Sequence, residues 1–453
     1  MSRLLLTFYG DDFTGSTDAL EQLTLAGIRT ALFIESPTAA QLRKFPGLQA
    51  VGVAGLTRSM TPAAMETELR PALKKLKALG ARHVHYKVCS TFDSSPTVGS
   101  IGRVMELAAE IFPAPFIPIL AAAPSLGRYT VFGTHFARYG IGSSGAIHRL
   151  DRHPSISKHP ITPMTEADLR MHLSAQTKKH VALFDIVNVG LPETQAHEAL
   201  AAILKAKPDA VLFDALYPEH LRQIGGLIDA YANNGRPLFS IGSSGIEAAL
   251  AAHFPRSSRR EEAQTNKQTS PKCIPATAPI LIGSGSCSPV ASGQIRWALK
   301  HGFAEVPLDT AKLVDAKTAA REIKRAADFA GEILNASRSV IVHTTRRGSD
   351  PYVATVLRGK TAPVLGTALG HVLREASKQC KLRRICLAGG DTSSFAARAL
   401  GVEALEMIAP LTPGAPLCRA YAPGSPADGC EMVFKGGQVG AENYFEIVKR
   451  GRA

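Results

Sequence analysis

Two adjacent carboxylates close the first apolar run of the chain: "LLLTF" leads into "YGDDFTGSTDAL", with Asp11 and Asp12 side by side before a Thr-Gly turn. Neighbouring carboxylates repel, and burying either one unpaired is costly. The plain reading is helix capping, since Asp and Thr accept otherwise unsatisfied backbone N–H groups at a helix start. The sharper reading is that the pair grips a polyhydroxylated ligand, a metal or a proton. Later segments carry polar groups of the same kind. "LTRS" supplies Arg58, "YKVCSTFDSS" supplies Lys87, Ser90, Thr91 and Asp93, and "APSLGRYTVFGTHF" supplies Arg128, Thr134 and His135. Gathered in one crevice, the carboxylates and hydroxyls suit the hydroxyl groups of a sugar acid, and Arg58 or Lys87 suits its carboxylate. Taken singly, each is as well explained by a cap or a surface ion pair. His83 and His85 alternate with Val84 and Tyr86 and read as structural.

A second set of turns is rich in glycine. "PILIGSGSCSPVASGQIRWAL" reads as a strand, a small-residue turn holding Ser286, and a helix with Ser288 as N-cap and Pro289 at its first position. "RRICLAGGDTSSFAARALG" repeats that design with Gly389, Gly390, Asp391 and Thr392. "PLTPGAPLCRA" and "VFKGGQVG" add Gly414, Lys435, Gly436 and Gly437. Helix starts of this kind offer free N–H groups and a positive dipole end to a phosphate. An ordinary turn explains any one of them; several within about 180 residues, where backbone could approach a phosphate closely, are harder to dismiss. No G-x-x-x-x-G-K-[ST] occurs, and "GSGSCS" lacks the third glycine of a dinucleotide fingerprint.

The elements that must position these residues are short apolar runs separated by Ala/Leu/Lys-rich helical segments. Strands are expected at 3–9, 50–56, 82–88, 116–122, 181–187, 210–214, 237–241, 279–283, 339–343, 384–388 and 431–434. This alternation predicts an α/β protein of two domains, each a mostly parallel sheet flanked by helices. Ligands in such sheets collect beyond the C-terminal strand ends. The polar stretch "RSSRREEAQTNKQTSPK" separates a domain at 1–255 from a second at 278–453, with 256–277 as linker and the active site expected in the cleft between them. "GSSG" occurs twice, at 142–145 and 242–245.

Composition narrows the partners. The formal charge is +14, but the basic residues are scattered and a single Trp offers little stacking surface, so a small anion fits better than nucleic acid. No apolar run approaches the roughly 20 residues of a membrane span. Seven cysteines with no C-x-x-C pair argue against a zinc site or a disulfide framework and fit a reducing cytoplasm.

With these residues assembled, the chain resembles the four-carbon acid sugar kinase family over nearly its whole length. The resemblance rests on "DDFTG", "KVCSTFDSS" followed by "GSIG", "GRYTVFGTHF", "GSSG" at 242–245, "GSCSPVASGQI", "GGDTSS", "TPGAP" and "KGGQVG" in that order. It implies a kinase that uses ATP and Mg²⁺ on threonate, erythronate, 3-oxo-tetronate or a branched relative. The first four stretches would line the acid site, and the glycine turns would hold ATP. Asp12 is then expected to act on the reacting hydroxyl and Asp11 to hold its neighbours, while the Mg²⁺ ligands stay unassigned. Where many members carry an acidic residue and an Arg-Gly, this chain has Cys89 and "FDSS", which leaves the identity of the acid open. A homodimer is compatible with this reading. The alternatives are a non-catalytic sensor of sugar acid and nucleotide, and an NAD-dependent dehydrogenase, which the incomplete glycine fingerprint disfavours.

Overall fold

The computed structural model describes residues 4–140, 144–159, 161–233, 235–254, 278–345, 355–357 and 361–451. The expected linker and half of the first GSSG therefore lie outside the described residues. The chain divides into two compact units, Met1–Ala31 with Glu35–Lys267, and Leu32–Ile34 with Gln268–Ala453.

The strands up to residue 254 are β1 (Leu6–Gly10), β2 (Thr30–Phe33), β3 (Ala50–Ala54), β4 (His83–Lys87), β5 (Ile117–Leu120), β6 (Arg128–Val131), β7 (Thr134–Arg138), β8 (Ile147–Arg149), β9 (Val181–Phe184), β10 (Ala210–Phe213) and β11 (Leu238–Gly242). In the first unit the order β3-β1-β4-β11-β5-β10-β9 is parallel throughout. Its central strands are buried on both faces because helices cover both sides, which is why they read as unbroken apolar runs. One core lies between this sheet and the Pro62–Ala78 and Ile101–Ile111 helices, built from Met65, Leu69, Leu73, Val104 and Leu107.

The second unit adds β12 (Leu281–Ser284), β13 (Ala304–Pro307), β14 (Val340–His343), β15 (Arg384–Ala388), β16 (Ala404–Thr412), β17 (Ala415–Tyr421) and β18 (Glu431–Lys435). The order β13-β14-β12-β15-β18 is parallel, and β17 and β16 follow antiparallel. Leu32 and Phe33 pair with Leu405 and Ala404 of β16 and so count with this unit.

Every run expected as a strand overlaps one. The sequence reading missed β2, the parallel edge strand β13, the strands β6, β7 and β8, which form a separate three-stranded sheet, and the β16–β17 hairpin. β16 carries Pro410 and two register shifts, signals that argue against a strand when read alone. Among the described residues, no helix is long and apolar enough to cross a membrane.

Candidate functional site

β1 delivers Asp11 and Asp12 at its C-terminal end, where both are buried. Asp12 is the N-cap of the Phe13–Leu25 helix, so the plain reading of the pair is correct for this residue. Its Oδ1 accepts the Gly15 N–H at 2.7 Å, and its Oδ2 accepts the Thr14 hydroxyl at 2.9 Å. The same Oδ2 meets Arg58 Nη1 at 2.7 Å. Burial alone would raise this carboxyl, but Arg58, Lys87 and the two hydrogen bonds outweigh it and hold Asp12 below the ordinary carboxylate value.

Asp11 is placed differently. Its Oδ1 has no hydrogen-bond partner, and its Oδ2 has only the Cys89 N–H at 3.4 Å. Burial first, then the charge of Asp12, push it up to about 7 against the pull of Arg58 and Lys87. Two neighbouring carboxyls are thus driven apart, one a fixed anion and one poised near neutrality.

Lys87, at the end of β4, is buried and donates to the Val88 carbonyl at 2.8 Å. A Cβ added to Gly15 would lie 3.1 Å from its Nζ, so the ammonium packs against the first turn of the helix that Asp12 caps. Burial lowers its proton affinity, but Asp18, Asp11, Glu247 and Asp12 together raise it above the usual lysine value.

The stretch after β4 folds over itself. The Thr91 hydroxyl donates to Asp93 at 2.7 Å, and Cys89 Sγ lies 3.1 Å from that hydroxyl. Burial pushes the Cys89 thiol up to about 12. Arg128, on β6, spends Nη1 on the Leu126 and Arg138 carbonyls, while its buried Nε has no partner. Burial lowers its proton affinity, and Cys89, Asp93 and Asp18 act against that, which puts these groups within electrostatic reach of the guanidinium. His135 uses both ring nitrogens internally, Nε2 on the Ser90 carbonyl at 3.0 Å and Nδ1 on Thr130 at 2.9 Å. Burial pushes it down to about 4, so it is a neutral prop for the Ser90 turn. Ser90 enters through its backbone, and Asp11, Asp12, Arg58 and Lys87 form the tightest group.

Two carboxylates escaped the sequence reading. Asp18 lies 3.8 Å from Lys87, and Glu247, in the Gly245–His253 helix, lies 3.6 Å from His85. Both are buried. The available signal was a charged residue early in a helix that follows directly on a strand end, in "STDAL" and "GSSGIE".

In the second unit the glycine turns converge. Ser288 caps the Pro289–Lys300 helix by accepting the Val290 N–H at 3.1 Å, and Ser286 Oγ accepts the Ser288 N–H at 3.2 Å. Gly389 has φ +134°, and a Cβ there would stand 2.4 Å from Thr392 Oγ1 and 3.3 Å from the Ser286 nitrogen. A Cβ on Gly437 would stand 2.8 Å from Ser286 Oγ. Gly390 opens the Gly390–Leu400 helix, where the side chain of Asp391 lies outside the described residues. Gly436 directly precedes Gly437, whereas Gly414, at φ +78°, makes the tight turn between β16 and β17. The Lys435 ammonium is buried without a hydrogen-bond partner, 5.6 Å from the Tyr444 ring, and burial pushes it down to about 8. A small-residue cradle beside an unsatisfied buried cation has the chemistry of a phosphate site. Among the described residues, no group of three His, Cys, Asp or Glu side chains is assembled for a metal.

Comparison with known proteins matches these two units to two family models. Residues 6–250 match a sugar-binding N-terminal domain, and residues 281–445 a nucleotide-binding C-terminal domain. The chain is 42% identical to a 3-oxo-isoapionate kinase of Paraburkholderia graminis, covering 99% of this chain and 95% of the relative. It is 29% identical to a 3-oxo-tetronate kinase of Methylobacterium radiotolerans, covering 98% of each. A crystal structure from Salmonella typhimurium LT2 shares the fold, with a TM-score of 0.75 at 23% identity over 100% of both chains.

Proposed function

We propose that this chain, which belongs to the four-carbon acid sugar kinase family, phosphorylates a terminal hydroxyl of a short, branched 3-oxo sugar acid with ATP as donor. The observation that carries the chemistry is the contrast between Asp11 and Asp12. A base that takes a hydroxyl proton needs an open lone pair and a proton affinity near the working pH. Asp11 has both, whereas Asp12 is engaged by Gly15, Thr14 and Arg58. The geometry therefore favours Asp11 over Asp12 as the base, reversing the expectation from sequence.

Lys87 and Arg128 are the buried cations that would meet the substrate carboxylate or the transferring group, with Arg58 oriented by Asp12. Thr91 and Asp93 would take substrate hydroxyls, and His135 would hold the Ser90 turn against them. ATP, when bound with Mg²⁺ on its phosphates, supplies the phosphoryl group. Ser286, Ser288, Gly389, Gly390, Thr392, Gly436, Gly437 and Lys435 fit its phosphates, because a side chain at Gly389 or Gly437 would fill the cradle. The branched 3-oxo acid is chosen over a linear one because the 3-oxo-isoapionate kinase is 42% identical and the tetronate kinase 29%.

ADP release, measured against a panel of branched and linear 3-oxo sugar acids and their reduced forms, tests the reading. The highest kcat/KM is expected on a branched 3-oxo acid. Preference for a linear acid would overturn the substrate, and tight acid binding without ADP release would make the protein a sensor.

A further inference from the structure

His135 holds the Ser90 carbonyl and so fixes where the stretch "STFDSS" begins. Three other side chains fix its far end. Ser94 Oγ is buried, donates to the Phe92 carbonyl at 3.0 Å and accepts the Gln176 amide at 2.9 Å. The same oxygen lies 2.8 Å from Nε2 of His172, in the Leu169–Ser174 helix, and Gln176 Nε2 lies 3.0 Å from that ring nitrogen. Either tautomer of the ring closes the triangle: Nε2 donates to Ser94 when it carries the hydrogen, and accepts from Gln176 when it does not. Gly102 orients the amide, because Gln176 Oε1 accepts its N–H at 3.3 Å. A Cβ on Gly102 would stand 2.7 Å from Gln176 Cβ, so the second glycine of "GSIG" is what admits this side chain.

Between the two anchors the backbone is strained. Phe92 is wholly buried at φ +58°, and a bulky L-residue keeps that left-handed conformation only where its surroundings enforce it. Its N–H is fastened to the Cys89 carbonyl at 2.8 Å, and its own carbonyl is fastened to Ser94. The His172 ring meets the Phe92 ring edge-on, with centroids 6.5 Å apart. The turn brings the two neighbours of Phe92 together, and Thr91 Oγ1 donates to Asp93 Oδ1 at 2.7 Å. An extended chain would hold residues two apart at roughly 7 Å.

We propose that His172 and Gln176 are positioning residues: through Ser94 they hold Phe92 in its left-handed turn, and the turn presents Thr91 and Asp93 as one receptor for substrate hydroxyl groups. The spacing of that receptor then selects among sugar acids by the arrangement of their hydroxyls. This rests on the sugar-acid kinase reading only for what Thr91 and Asp93 bind.

Two measurements on the full chain decide it. The first is hydrogen exchange, without ligand, in the peptide spanning residues 88–96. Exchange there should quicken at least about tenfold in Ser94→Ala and in His172→Leu, with peptides elsewhere at the wild-type rate. His172→Gln, whose amide can reach Ser94, should stay near wild type. Unchanged exchange in Ser94→Ala overturns the clamp whatever the enzyme acts on. The second is steady-state kinetics. KM for the sugar acid should rise roughly tenfold in Ser94→Ala and His172→Leu, the worth of one broken buried hydrogen bond, with KM for ATP unmoved. The ratio of kcat/KM between branched and linear acids should fall in both and recover in His172→Gln. The double variant should lose no more than either single one, because both act through one hydroxyl. Variants that lose stability but keep the acid KM and that ratio overturn the positioning role. A wild type that phosphorylates no sugar acid removes the kinase reading, and the exchange rates still decide the clamp.

Discussion

Arg58 Nη1 stands 2.7 Å from Asp12 Oδ2, while Oδ1 of the same carboxylate accepts the Gly15 N–H. A single side chain therefore caps the first helix and orients the guanidinium beside Asp11. Asp12→Asn keeps a capping oxygen but presents no charge to Arg58, and Asp12→Ala removes both. The alanine variant should lose about 0.5–2 kcal/mol for the cap and leave Arg58 without this carboxylate. The asparagine variant should lose less. Urea unfolding of the two proteins checks this, and equal losses would mean that the cap contributes nothing.

Catalysis should follow Asp11. A base must be deprotonated to accept the hydroxyl proton, so kcat should fall as the pH drops through about 7, where the Asp11 carboxyl titrates. Asp11→Asn should lower kcat by about 10²–10⁴-fold, the usual contribution of a general base. KM for the acid should move far less. If Asp12→Asn abolished the acidic limb while Asp11→Asn retained it, the roles would be the reverse.

Much of this site was legible because chemistry at the strand ends of a parallel sheet is written as short polar runs after apolar ones. "DDFTG", "LTRS" and "YKVCSTFDSS" supplied Asp11, Asp12, Arg58 and Lys87 by that rule alone. The division of labour between Asp11 and Asp12 was not legible, because it depends on which lone pairs are already taken. Glu247 and Asp18 were missed for a related reason: their meaning comes from Lys87 and His85 on another element. His135 looked like a ligand residue until its two ring nitrogens were seen to hold Ser90 and Thr130. In the fold, the inner parallel strands announced themselves by burial on both faces, whereas the edge strand β13, only partly buried, did not. The β6–β7–β8 sheet did not, since its strands are three to five residues long and only half buried.

Nucleotide binding should depend on the absence of side chains at two turns. Gly437→Val would push a branched side chain toward Ser286 Oγ, which a Cβ alone would approach to 2.8 Å. Gly389→Ala would also force an alanine to φ +134°, a region that L-residues avoid. Calorimetric ATP affinity should fall at least about tenfold in each, a modest 1.4 kcal/mol. Sugar-acid affinity, measured without nucleotide, should be retained. Unchanged ATP affinity in both variants would remove these turns from the phosphate site.

Lys435 offers a test in which stability and binding move in opposite directions. Its ammonium is buried with no hydrogen-bond partner, and its pKa in the folded protein is lowered to about 8 from an ordinary value near 10.5. Between those two values the unfolded chain binds a proton that the folded chain does not, so folding stability should rise as the pH climbs from about 8 toward 10.5. Below pH 8 the full cost of burying the charge is present. Lys435→Met keeps the length and removes the ammonium, so this variant should be more stable than wild type at pH 7 and should lose the alkaline rise. A bound phosphate would supply the missing partner and keep the lysine charged. Binding should then take up a proton above pH 8, and wild-type ATP affinity should decline as the pH rises through that value. In Lys435→Met the affinity should be lower at pH 7 and independent of pH across the same range. Denaturation curves and ATP titrations at pH 7 and pH 9.5 check both halves. A methionine variant that binds ATP as tightly as wild type at pH 7 would leave Lys435 a partner of Tyr444 alone.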